Sequence, residues 1–158
     1  MSQKRLDFLK DAFQKFEIRF DDNYSNAIIV NPNYDENIAV YDDEFEFTVC
    51  FSFQHRHFED EDDIVEWIRK IISGNTFAIE FFDDEQRRFG GEIDAEKLQG
   101  LTYEKLEQFT GCYGATKLAE IADSFKIRGW DNRHNFDCTM NREEKGTVVI
   151  RKTCVGIL

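Results

Sequence analysis

From Phe45 to Gln54 the chain alternates between apolar and polar residues, and this stretch constrains the fold more than any other. Phe45, Phe47, Val49, Phe51 and Phe53 interleave with Glu46, Thr48, Cys50, Ser52 and Gln54. Successive side chains of a strand point to opposite faces, so this period predicts a strand with the odd positions in a core. Its even positions are polar, which leaves one face of the sheet wet, as in many antiparallel sheets.

The flanking segments are read the same way. Leu6, Leu9, Phe13 and Phe16 fall on one face of a helix, with Ser2 placed to cap it. Asp21-Asp22-Asn23 ends that pattern. Ala27–Val30 and Ile38–Tyr41 are short strands, closed by Asn31-Pro32-Asn33 and by Asp42-Asp43. Glu59 to Asp63 are all acidic and mark a helix start, where carboxylates meet free amides and the positive end of the helix dipole. Ile64, Ile68 and Ile71 form the stripe of that helix, widened by Val65, Trp67 and Ile72, and Gly74 stands at its C-terminal cap.

A hairpin follows, with Phe77, Ile79 and Phe81 on one face, Phe89, Gly91 and Ile93 on the return strand, and a turn at Asp83–Gln86. Residues 95 to 124 are expected to be mainly helical. Leu98, Leu101, Leu106 and Phe109 supply apolar positions there, Thr102 a cap, and Leu118, Ile121, Ala122 and Phe125 a further helix. A meander closes the chain, with strands at Lys126–Trp130, Phe136–Met140 and Thr147–Val155. The order lacks the regular strand–helix–strand alternation of a parallel sheet. The expected fold is therefore α+β: a single domain over residues 1–158, mainly antiparallel sheet with helices packed on one face.

Composition agrees. A chain of 158 residues buries roughly two-thirds of its unfolded surface without staples. With 41% apolar residues and 16 Phe, it has the material for a Phe-rich core. One Pro and 9 Gly leave no flexible linker. The start, Met1-Ser2-Gln3-Lys4-Arg5-Leu6-Asp7, lacks a signal-peptide core, and no run approaches the roughly 20 apolar residues of a membrane span. A soluble, cytoplasmic protein is expected. Cys50, Cys112, Cys138 and Cys154 show no CxxC spacing and read as free thiols of a reducing compartment.

No stretch carries a catalytic or cofactor signature, and no cofactor is expected. Three groups of residues are candidates for binding. His55 and His57, two apart on a strand, share a face and could hold a metal ion, with Glu59 or Asp60 completing its shell; otherwise they continue the apolar face of the Phe strand. Lys126, Arg128 and Trp130, alternating on the first meander strand, could bind an anion. The carboxylates at two turns, Asp42, Asp43, Glu44 and Glu46 and then Asp83, Asp84 and Glu85, could meet a partner.

Charge ranks these readings. The net charge of −12 is uneven: residues 1–116 hold 26 acidic and 12 basic side chains, residues 117–158 hold 6 and 8. A negative field speeds association with a basic partner and disfavours nucleic acid. The expectation is a non-enzymatic binding module that recognises a basic protein. The alternative is a small-molecule-binding protein or enzyme with a Phe-lined pocket, assisted by a metal at His55 and His57.

Overall fold

A computed structural model describes residues 2–31, 37–52, 54–98, 108, 122–130, 135–139 and 151–154. The chain forms two compact units, Met1–Lys70 and Ile71–Leu158. Each is built on a five-stranded antiparallel sheet, so the fold is α+β and mainly antiparallel.

The first unit opens with helix α1 (Ser2–Lys15). Strands β1 (Phe20–Asp21), β2 (Ala27–Val30), β3 (Ile38–Asp42), β4 (Phe47–Phe51) and β5 (Gln54–Phe58) follow, each paired with the next. Helix α2 (Glu61–Ile72) begins in this unit. Ile28, Val30, Ile38, Val40, Phe47, Val49 and Phe51 form the buried face of the sheet. Both helices lie on that face. α1 buries Leu6, Leu9 and Phe13, with the Phe13 ring 6.0 Å from Phe20 and the Arg5 guanidinium 4.1 Å from the Phe47 ring centre. α2 brings Trp67 within 5.7 Å of Phe58. Asp60 caps α2, its carboxylate accepting from the Asp62 amide at 2.8 Å, and Gly74 ends it with φ 74°, the left-handed conformation that a Cβ would penalise.

The long alternating stretch is two strands and not one. β4 stops at Phe51, Ser52 takes φ 54°, and β5 returns with Phe51 opposite Gln54. Alternation sets which residues share a face but is silent on where the chain reverses. A two-residue turn also exchanges the parity of the faces. His55 and His57 therefore oppose Cys50 and Thr48 on the outer face and do not continue the apolar one. Phe45 lies in the loop before β4 and is 89% exposed, outside the core. Phe16 falls beyond the last turn of α1, under the Arg69 guanidinium at 4.2 Å. β1 was too short to show a period.

The second unit contains β6 (Thr76–Asp83), β7 (Gln86–Asp94), α3 (Ala95–Leu98), β8 (Ser124–Arg128), β9 (Phe136–Thr139) and β10 (Arg151–Cys154), in the spatial order β10-β9-β8-β6-β7. The hairpin has the expected register, Phe77 opposite Ile93, Ile79 opposite Gly91 and Phe81 opposite Phe89. A bulge between Phe81 and Phe82 precedes its two-residue turn. Phe81 stacks on Phe89 at 4.3 Å and meets Phe125 at 5.6 Å.

Phe125 belongs to β8 and not to a helix. Its spacing from Ile121 fits a helix, and its alternation with Lys126 and Ile127 fits a strand; pairing with Phe81 of β6 selects the strand. Trp130 lies beyond the end of β8 and is buried, so it does not extend the row of Lys126 and Arg128. The expected helical positions Leu101, Thr102, Leu106, Phe109, Leu118 and Ile121 lie outside the described residues, as do the turn at 131–134 and the segment 140–150.

Candidate functional site

A network of hydrogen bonds fixes the loop between β3 and β4 in the first unit. Asp43 donates its amide to the Glu46 carbonyl at 3.0 Å and closes the loop. The Glu44 amide donates to Asp42 Oδ1 at 3.0 Å, Arg5 Nη1 donates to the Glu44 carbonyl at 3.2 Å, and Thr48 Oγ1 donates to Asp43 Oδ2 at 2.8 Å. Glu44 takes φ 73°, a conformation a non-glycine residue keeps only when its surroundings hold it. These bonds fix the main chain and leave the Phe45 ring in solvent, between Glu44 and Glu46.

The four carboxylates of this run do different things. Asp42 turns inward with a fully buried side chain, and Arg5 Nη1 approaches it at 3.5 Å. The same guanidinium donates to Glu61 Oε1 of α2 at 3.1 Å, so Arg5 joins the loop to both helices. Asp43 and Glu44 stay exposed, and Glu46 is half-buried. Glu46 Oε1 lies 2.9 Å from His57 Nδ1, and Thr48 Oγ1 lies 3.4 Å from the same nitrogen.

A cleft of about 340 Å³ adjoins His57. One wall is Arg56, His57, Phe58 and Glu59. Three consecutive strand residues point to alternate faces, so only the edge of β5 can present all of them to one cleft. The other wall is Asp63, Glu66, Trp67 and Lys70, one face of α2. The cations are already engaged: Lys70 Nζ is 3.2 Å from Glu66, and the Arg56 guanidinium lies 5.1 Å from Phe58 and 5.5 Å from Trp67. Among the described residues, Phe58 is the one Phe that lines this cleft. The large core rings Phe13, Phe47, Phe51, Phe81 and Phe125 are packed shut.

His55 and His57 do come together, with ring centres 5.3 Å apart and planes near perpendicular. Among the described residues no group of three or more His, Cys, Asp or Glu is placed to hold a metal ion. Cys50 sits opposite His55, and burial followed by the nearby Asp43 carboxylate pushes its thiol upward, away from the reactive thiolate.

In the second unit, Asp83 is paired with Arg88 at 2.7 Å, and the Asp84 amide donates to Asp123 Oδ2 at 3.3 Å. Glu85 remains exposed at the turn. Lys126 and Arg128 share a face, Lys126 lying 4.6 Å from the Phe82 ring centre and Arg128 bonding Asp137 at 2.9 Å. Between them and β7 lies Glu80, which no sequence pattern singles out. Its side chain is fully buried, Oε1 accepts from Arg87 Nε at 3.1 Å, and Oε2 has no partner among the described residues. Burial pushes this carboxyl up to about 7, against the opposing pull of Arg87, Arg128 and Lys126.

Phe45 opens the alternating run and so reads as core by its period. The signal that could have corrected it was there: Asp42 to Glu46 holds four acids around one Phe, a density no strand entering a core sustains. No helix among the described residues is long and apolar enough to cross a membrane. Comparison with protein-family models, with curated proteins and with solved structures finds no match to this chain.

Proposed function

We infer that this protein is a non-enzymatic binding module, that its partner is a basic protein, and that the β3–β4 loop is the contact surface. The observation that carries this reading is Phe45, 89% exposed on a loop whose main chain is held by several bonds. A solvated aromatic ring on a pre-ordered loop is what an interface anchor needs: large apolar area with little ordering cost left for binding. The carboxylates of Asp43, Glu44 and Glu46 around it favour cations, and the net charge of −12 extends that preference and disfavours nucleic acid. The thiol pattern supports a cytoplasmic location.

The test is affinity capture from lysate at low salt with the natural chain and with Phe45→Ala, alongside a variant with Asp83, Asp84 and Glu85 neutralised. A basic protein retained by the natural chain and lost with Phe45→Ala is the expected result. Retention unaffected by Phe45→Ala but lost with the other variant would move the contact to the β6–β7 turn. An acidic partner, or none, would remove the reading.

A further inference from the structure

Among the described residues, nothing pairs with the outer edge of the last strand of the first sheet. β5 pairs with β4 and is the terminal strand of its sheet. Which of its backbone groups point outward follows from one bond. The Asp42 amide donates to the Asn26 carbonyl at 2.9 Å, so the even positions of β3 bond toward β2. In an antiparallel ladder the direction alternates residue by residue. Ala39 and Tyr41 then bond toward β4, Thr48 and Cys50 back toward β3, and Phe47, Val49 and Phe51 toward β5. The N–H and C=O of His55 and His57 are left pointing away from the sheet.

Beside that edge runs the cleft walled by α2. An edge strand next to a helix, with a groove between, is the setting in which an extended peptide adds as another strand: main-chain bonds supply affinity, and the groove reads alternate side chains. The charges select the peptide. Lys70 is paired with Glu66 and Arg56 lies on the rings of Phe58 and Trp67, so among the described residues the rim carboxylates without an ion-pair partner are Glu59 and Asp63. The groove is also joined to the β3–β4 loop through the 2.9 Å contact of Glu46 with His57.

We propose that the partner contributes an extended, basic segment that pairs with the free edge of β5 in the groove against α2. This rests on the reading of a basic partner and adds its mode of binding.

The probe is a synthetic peptide of alternating Lys and Val, roughly six residues long, the length of an average strand. Its affinity for the full chain is measured by fluorescence anisotropy, and amide exchange is followed by NMR. Proline at an outward-facing edge position deletes a donor without breaking a ladder bond, so His55→Pro is compared with His55→Ala. The peptide is expected to slow exchange of the His55 and His57 amides. His55→Pro should weaken binding about tenfold while His55→Ala does not, and Asp63→Lys should weaken it as well. No peptide binding, equal binding by the proline and alanine variants, or unprotected amides would overturn the proposal. So would concentration-dependent dimerisation of the chain that His55→Pro abolishes, since the occupant would then be a second copy. Lysate capture separates the two ideas. A basic partner still held by His55→Pro removes strand addition and leaves the basic-partner reading standing, whereas capture of nothing by the natural chain removes that reading.

Discussion

Two buried carboxylates show how the fold treats acid it cannot leave in water. Asp42 has Arg5 beside it and an amide donor from Glu44, so an enclosed charge is partly compensated. Glu80 has one oxygen on Arg87 and, among the described residues, no partner on the other, and burial lifts its carboxyl to about 7 from an ordinary 4.5. The folded chain thus holds this proton more tightly than the unfolded chain. Glu80 supports folding fully below pH 4.5, and that support is lost as the pH rises through about 7. Glu80→Gln cannot ionise. Relative to the natural chain, the variant should gain on the order of 2 kcal/mol of stability between about pH 4 and about pH 8. Urea unfolding at both values checks this, and a difference between the two proteins that does not change with pH would show that folding does not raise the Glu80 carboxyl. The sequence marked Asp42 as a turn acid and passed over Glu80. Neither role is local: Asp42 depends on a cation from another element, and Glu80 on burial between neighbouring strands.

At the scale of elements, the hairpin β6–β7 was legible because both of its signals are local: alternating Phe and Ile, and a polar turn. Its tightest point is less comfortable than its strands. Asp84 and Glu85 take φ 48° and 66°, both in the left-handed region. A two-residue turn of this kind favours Asn-Gly. Replacing Asp84 by Asn and Glu85 by Gly is expected to stabilise the chain by about 1 kcal/mol and raise its melting temperature. A fall in melting temperature would mean that Glu85 contributes more than its backbone conformation costs. α2 was equally readable, from its acidic start to Gly74. The β4–β5 hairpin was not. Ser52 is the one turn-favouring residue at this reversal, with no Gly, Pro, Asn or Asp beside it, and the alternation runs straight through it, so the reversal that puts His55 and His57 on the outer face leaves little local trace.

For the whole molecule the governing quantity is charge. The residues of the first unit include 17 acidic and 8 basic side chains, those of the second 15 and 12. A partner drawn by this field should associate quickly at low salt, with the rate constant falling on the order of tenfold or more as ionic strength is raised well past the screening limit. Stopped-flow association across a salt series reads this directly; a rate independent of salt would mean that the apolar Phe45 contact acts without steering.

The sequence by itself determined the class of the fold, most of the strands, the well-capped second helix and the sign of the field, since these follow from residue order, periodicity and counting. It could not determine the fate of single residues whose environment comes from distant elements. Phe45 reads as core in the pattern and stands in solvent in the structure. Glu80 reads as one polar position among many and is sealed between strands. The free edge of β5 exists only once five strands have been laid in order. Periodicity is a property of neighbours along the chain, whereas burial, an unused strand edge and a shifted proton depend on what the folded chain places alongside.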